Sequence, residues 1–274
     1  MNLLAVVMSL LAVEPVVLDN GSIRVEFDPQ VFSVRFVGLP GGSNYLEPLF
    51  VSHEDKKGPG WVDPGGLVTD LIPLQGHDAS LRRGPGEIVE QRKDYVAALG
   101  PLSGETGLRV KKEIALDPIE AKARFTVTVT VAGPKPAAFS IRNTARVARG
   151  STLRVEKADG TIRALAGTTN IFPAVVNSNL FWLVPVPPTA PMKNVVLGAF
   201  VPRIVHVGNQ GIWRRRIVSA PEQAKLAPNE STFLCLLDDT TRSYGAALQG
   251  AVAPIEPCCP LVFEEEWTIS KRGK

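Results

Sequence analysis

The chain has 274 residues, 45% of them hydrophobic and 21% charged, the profile of an ordinary globular protein rather than a disordered or fibrous one. Its formal net charge of +3 is too small for a dedicated nucleic-acid binder, which needs a basic excess gathered on one face. The 24 glycines and 23 prolines make it turn-rich, yet short of the roughly 25–30% that marks low complexity.

In chain order, the first feature is an apolar run, Leu3 to Val13. It is too short to span a bilayer, which takes about 20 apolar residues. Its position and the small Ala12 suit a secretory signal, although no Lys or Arg precedes it and Leu10 is a poor residue near the cleavage point. A buried first strand is the plain alternative. The expectation is a signal over residues 1–14, export to the periplasm or exterior, and one domain over 15–274.

Val16-Val17-Leu18, Asp19-Asn20-Gly21 and Ile23–Phe27 then give the strongest hairpin signal, because Asn-Gly readily takes the positive φ of a tight turn. Phe32–Val37 and Gly86–Arg92 are further strands. The stretches His53–Gly66 and Pro73–Pro85 read as loops. Leu108–Leu116 and Arg124–Val131 alternate apolar and polar residues and read as an antiparallel pair. Strands also fit Phe139–Val147, Leu153–Glu156, Thr161–Leu165, Val195–Val201, Ile212–Val218, Ser231–Leu237, Ser243–Leu248 and Leu261–Ile269. No helical stripe persists over three turns, and Val184–Lys193 reads as a long loop within one domain. Many short strands with no β-α alternation predict an all-β, large antiparallel sandwich.

Three cysteines do not make a scaffold. Adjacent Cys258 and Cys259 sit about 3.8 Å apart at Cα, below the usual disulfide span. Either can pair with Cys235, which itself reads as a packed strand residue. With no C-x-x-C pair and only His53, His77 and His206 as imidazoles, no metal site is expected. Gly-rich stretches lack a phosphate-binding fingerprint and no G-x-S-x-G occurs, so no cofactor is expected either.

The order of several short motifs carries more than any one of them. Leu18–Pro29 is followed by Phe36–Gly42, Tyr45–Pro48, Gly107–Leu116 and Arg124–Val131. Then come Phe139-Ser140-Ile141-Arg142-Asn143-Thr144, Leu226–Ser231 and Phe263–Trp267. Over most of residues 16 to 270 this order resembles the galactose mutarotase-like superfamily, and within it an uncharacterised bacterial branch. The resemblance implies a β-supersandwich with sugar bound on the concave face of one sheet. Epimerases of that superfamily carry an Asn-His pair whose His protonates the ring oxygen; this chain has Asn143 but Thr144 in the His place. Threonine stays un-ionised near neutral pH and cannot be that acid. The resemblance places a second imidazole in a loop before Gly86–Arg92, where His77 is the only match.

The resemblance makes polar groups on central strands the candidates. Asn143 interrupts the apolar parity of Phe139, Ile141, Ala145 and Val147, whereas Arg142, Thr144 and Arg146 share the other face. Arg142 can donate in forks to sugar hydroxyls or a carboxylate; an ordinary solvated face is the alternative. Glu265 shares the parity of Trp267, the carboxylate-plus-aromatic pairing of sugar sites, and Glu264 and Glu266 take the other face. A charged edge strand guarded against aggregation is the plain alternative there. Trp61, on a Gly/Pro loop, suits a lid that stacks on a ligand, or a packing plug; Trp213 is a further stacking candidate. The expected site is thus Trp61, His77, Arg142, Asn143, Glu265 and Trp267. Arg214-Arg215-Arg216 alternate faces and cannot make one dense patch, so nucleic acid is discounted as a partner and carbohydrate is the expected one, with no membrane span. The leading function is a carbohydrate-binding protein without standard mutarotase activity. An epimerase or hydrolase using His77 or a late glutamate, and a structural or assembly sandwich, remain the alternatives.

Overall fold

In the computed structural model the described residues are 14–47, 50–51, 62–63, 66–72, 81–82, 84–132, 137–148, 152–156, 163–166, 176–177, 181–185, 195–199, 203–209, 211–220, 233–237, 243–257 and 259–271. They form two antiparallel sheets of ten strands each and a short two-stranded pairing of Phe50–Val51 with Val62–Asp63. That last pair places strand residues inside a stretch the sequence reads as loop. The only helical residues among those described are Leu81 and Arg82.

The first sheet runs, edge to edge, through Val16–Asp19, Arg24–Asp28, Ser33–Gly38, Leu67–Ile72, Ala137–Ala148, Ser243–Gln249, Phe233–Leu237, Val195–Ala199 and Arg163–Ala166, with Ala253–Ile255 added beside Ala137–Ala148. The second runs through Val176–Asn177, Phe181–Pro185, Thr152–Glu156, Arg203–Gly208, Gly211–Ser219, Leu261–Ser270, Lys122–Val131, Leu108–Leu116, Tyr95–Leu102 and Glu87–Arg92. The glutamate-rich Leu261–Ser270 strand is therefore central, which removes the guarded-edge explanation for its charges.

Alternation builds the core. In Lys122–Val131, Ala123, Phe125, Val127, Val129 and Val131 are buried while Arg124 and Thr130 are exposed. Ile141, Asn143, Ala145 and Val147 do the same in Ala137–Ala148, so the inward rows of both sheets interdigitate as in other sandwiches. Val16 pairs with Phe27 and Asp19 with Arg24, as the hairpin signal predicts. Gly21 supplies the positive φ (84°), and Asn20 Oδ1 accepts from the backbone N–H of both Ser22 and Ile23.

Two strands that the alternation rule overlooks have physical reasons for doing so. Leu67–Ile72 is buried at five of its six positions, so it shows no polar face. Tyr95–Leu102 contains Gly100 and Pro101, and its register slips between Leu99 and Leu102, a bulge that admits both residues. A side chain at position 100 would press on the Phe32 ring and the Val110 carbonyl; one at 86 would collide with the same ring. Phe32 itself holds a positive φ of 52°, a conformation costing about 1 kcal/mol or more for a bulky residue. Its ring is fully buried against Phe27.

Candidate functional site

The Ala137–Ala148 strand lies at the middle of the first sheet and divides its side chains between two environments. On the outward face Arg142 stands in register with Asp70 on one neighbour and Gln249 on the other. Its Nε donates to Gln249 Oε1 at 2.7 Å. Asp70 holds Arg82, with Oδ1 2.6 Å from the guanidinium Nε. Thr144 follows one step along, between Val68 and Ala247. Asp70, Thr144 and Gln249 are all buried, although they point away from the opposing sheet. Burial pushes the Arg142 guanidinium below the usual arginine range, the Asp70 carboxylate pulls it back up, and Arg82 pushes it down again. The Thr144 hydroxyl oxygen is buried with no hydrogen-bond partner among the described residues. Such a group costs free energy and invites a ligand or water.

The inward face is a closed polar network. Thr69 Oγ1 donates to Asn143 Oδ1 at 2.8 Å, and Asn143 Nδ2 donates to Glu265 Oε1 at 3.2 Å. Glu265 is bound by Arg215, whose Nη2 lies 2.9 Å from Oε2 and 3.2 Å from Oε1. Arg215 also donates to the backbone carbonyls of Ala246 at 2.6 Å and Asn143 at 3.1 Å. Its guanidinium carbon lies 5.0 Å from the Trp267 ring centre and 5.6 Å from that of Trp213, within cation–π range. Arg215, Asn143, Glu265, Trp213 and Trp267 are all at 0% exposure. Trp267 packs on Phe125 at 4.2 Å and edge-on to Trp213 at 4.7 Å. His206 stacks on Trp213 and shares a 2.8 Å hydrogen bond through Nδ1 with the Tyr244 hydroxyl. Burial first, and the Arg215 charge second, hold its pKa well below the usual histidine value.

A fully buried amine completes the layer. Lys112 Nζ donates to the Phe32 carbonyl at 2.5 Å and sits 4.4 Å from the Phe32 ring centre. Burial lowers its pKa to about 7, opposed by Asp70 and assisted by Arg82. It lines a cavity of about 10 Å³ with Thr69 and Asn143, room for about one water molecule.

The structure thus separates the six expected site residues. Arg142 faces outward beside Asp70, Arg82 and Gln249. Asn143, Glu265 and Trp267 come together as expected, but inside, where no solute reaches them in this conformation. Trp61 and His77 lie outside the described residues. Trp213 is an interior residue, because its parity matches that of Arg215 and the core rows, and its ring stacks on His206 rather than facing a ligand. Of the late glutamates, Glu264 pairs with Arg124 and Glu266 with Arg216 on the outer face of the second sheet. Cys259 is exposed and free, so no disulfide forms through it; Cys258 lies outside the described residues.

Sequence reasoning missed Asp70, Arg82, Gln249 and Arg215. A signal existed for two of them: Asp70 interrupts the apolar Leu67-Val68-Thr69-Asp70-Leu71-Ile72, and Gln249 closes the small-residue run Gly245-Ala246-Ala247-Leu248. Arg215 gave none, since its neighbours carry the same charge. Among the described residues no group of His, Cys, Asp and Glu is arranged to hold a metal ion, and no helix is long and apolar enough to cross a membrane.

With two large antiparallel sheets and no helical layer among the described residues, the fold is that of the galactose mutarotase-like sandwiches. A proposed aldose 1-epimerase from Escherichia coli K12 superposes with a TM-score of 0.60 at 11% identity, over 94% of this chain and 99% of that one. A galactose mutarotase-like protein from Lactobacillus casei gives 0.58 at 7% identity, over 93% and 100%. One from Clostridium acetobutylicum gives 0.55 at 8% identity, over 92% and 93%. No protein-family model matches the sequence, and no curated protein matches it. At these identities the likeness is one of fold.

Proposed function

We propose that the protein binds carbohydrate on the outward face of the first sheet, around Arg142, and does not carry out the standard mutarotase reaction. The observation that carries this reading is Thr144. It occupies the position where the resemblance expects an imidazole, and its buried hydroxyl lacks a partner among the described residues. Beside it, Arg142, Gln249, Asp70 and Arg82 offer forked donors and acceptors suited to hydroxyls. Among the described residues the cluster contains no imidazole, so it lacks the acid that the resemblance assigns to the epimerases, and we read it as a site that recognises rather than catalyses. The inward Asn143–Glu265–Arg215 network then acts as scaffold, fixing the strand from beneath so that Arg142 and Thr144 keep their places. Trp61 and His77 enter this proposal from sequence alone, as a stacking lid and a loop donor. Export to the periplasm or exterior rests likewise on the Leu3–Val13 run; mass spectrometry of material from a secreting host tests it, and an intact Met1 on cytoplasmic protein ends it.

Polarimetry on galactose and glucose, with calorimetry against a panel of mono- and oligosaccharides, tests the main reading. Mutarotation at the uncatalysed rate with measurable sugar binding is the expected result. Arg142→Gln should weaken that binding, and Trp61→Ala should cost about 1–2 kcal/mol if its ring stacks on the ligand. Rapid mutarotation would establish the epimerase instead, and silence across the panel would point to a structural or assembly role.

A further inference from the structure

Strand alternation sends Arg215 inward and leaves Arg214 and Arg216 on the outer face of the second sheet. Neighbouring strands add to them. Arg203 stands opposite Arg216 in register, and Arg154 lines up with Arg214 across Val205. On the other side Arg124 stands opposite Glu266, which itself faces Arg216. The pooling that three consecutive arginines cannot achieve along one strand is achieved across several.

Two carboxylates stand beside these arginines, Glu264 and Glu266, each already bound to an arginine at 3.2 and 3.0 Å. Over these strands, open to solvent, lies a pocket of about 240 Å³ lined, among the described residues, by Arg203, Arg214, Arg216, Glu266 and Thr268. Among the described residues its lining holds three guanidinium groups and one carboxylate. Arg214 is held in place by a 3.0 Å hydrogen bond from Nη1 to Ser270 Oγ, and Arg216 by Glu266. All five lining residues stand on paired strands rather than loops, which fixes their spacing.

We propose that this cavity is a second binding site, for a small ligand carrying a phosphate or sulfate ester group. Guanidinium groups outnumber carboxylates among the described lining residues, which favours an oxyanion, and guanidinium forks match its oxygens. Glu266 and Thr268 provide oxygen acceptors for a hydroxyl on the same ligand. A long polyanion fits less well: along the row Arg203, Arg216, Glu266, Arg124 a phosphate backbone meets a carboxylate in third place. The site lies on the outer side of the second sheet, so it is separate from the Arg142 cluster and stands whether or not that cluster binds sugar.

The test is calorimetry on the full chain with inorganic phosphate, inorganic sulfate and chloride at matched ionic strength. Saturable binding of phosphate and sulfate, without chloride binding, is expected. Arg214→Gln and Arg203→Gln should each raise the dissociation constant about tenfold, the usual size of a lost charge-assisted hydrogen bond. Glu266→Gln should tighten binding by removing a repulsive charge. Arg24→Gln, on the first sheet, should change nothing. Circular dichroism checks each variant's fold, and Arg203 is exposed enough to carry the test if Arg214→Gln does not fold. The proposal is overturned if neither oxyanion binds saturably, if both pocket variants bind as the parent does, or if the Arg24 control loses as much. Binding confined to heparin or single-stranded DNA, with none to the inorganic ions, would also overturn it.

Discussion

Two arginine–glutamate pairs stand side by side on the same two strands and do opposite things. Arg215–Glu265 lies wholly inside at 0%/0% side-chain exposure; Arg216–Glu266, one residue along, has its arginine at 55%. The N–O distances are nearly equal, 2.9 and 3.0 Å. What differs is the cost of losing a partner. Inside, an orphaned charge cannot be rescued by water, so the pair locks the two sheets together. Outside, Glu266 is itself only 8% exposed but Arg216 reaches water, which can replace its partner, and the arginine is open to a ligand. The same chemistry becomes scaffold or surface according to strand parity alone.

Glu265→Gln is the most damaging way to probe that contrast. It leaves Arg215 buried without its counter-charge and should cost about 3–5 kcal/mol in urea unfolding. Replacing both partners, Arg215→Met with Glu265→Leu, should recover part of that loss. If the single variant costs under about 1 kcal/mol, the interior network is not what fixes the strands.

Lys112 tests whether the interior penalises any charge left without a counter-ion at hydrogen-bonding distance. Its folded pKa of about 7 lies below the usual lysine value, so above pH 7 the unfolded chain binds the extra proton. Stability should therefore rise from pH 7 toward pH 10, by roughly 2 kcal/mol between pH 7 and 9. Below pH 7 the penalty is present in full. Lys112→Met should flatten the rise; an equal rise in that variant would assign it elsewhere.

His206 behaves in the matching direction at lower pH. Its folded pKa is held well below 6.5, so the stability it allows is complete above that value and falls as the solution is acidified, by about 1.4 kcal/mol per pH unit. The unfolding midpoint of His206→Phe should fall less steeply below pH 6. Smallest of all should be the outer pair: Glu266→Gln ought to change stability by no more than about 1 kcal/mol, and a larger loss would erase the contrast with Glu265.

How far these roles were legible follows from the same parity. Alternation alone placed Glu265 with Trp267 and split Asn143 from Arg142, and the sheets bear out both assignments. It could not say which parity faces the opposing sheet when each contains charges. The interior row Asn143, Glu265, Trp267 looks like a sugar site in one dimension because a buried network and a ligand site use the same residue types. Burial is decided by the partner sheet, and Arg215, more than seventy residues from Asn143, is invisible from that strand. Leu67–Ile72 was missed because a strand covered on both sides has no period to read, and with it went Asp70. The order of motifs along the chain did reach the fold, since the superfamily resemblance and the sandwich agree.

The order of strands within each sheet also has a consequence for how the chain is made. Arg142 pairs with Gln249 across 107 residues, and Lys122–Val131 pairs with Leu261–Ser270. In both sheets a central strand follows its pairing neighbour only at long range along the chain. During synthesis, at about 5–20 residues per second, the Lys122–Val131 strand must wait several seconds with one edge open and its row of Phe125, Val127 and Val129 uncovered. An emerging chain of this topology is an aggregation hazard until its closing strand arrives. A holding chaperone would shield that open edge during the wait.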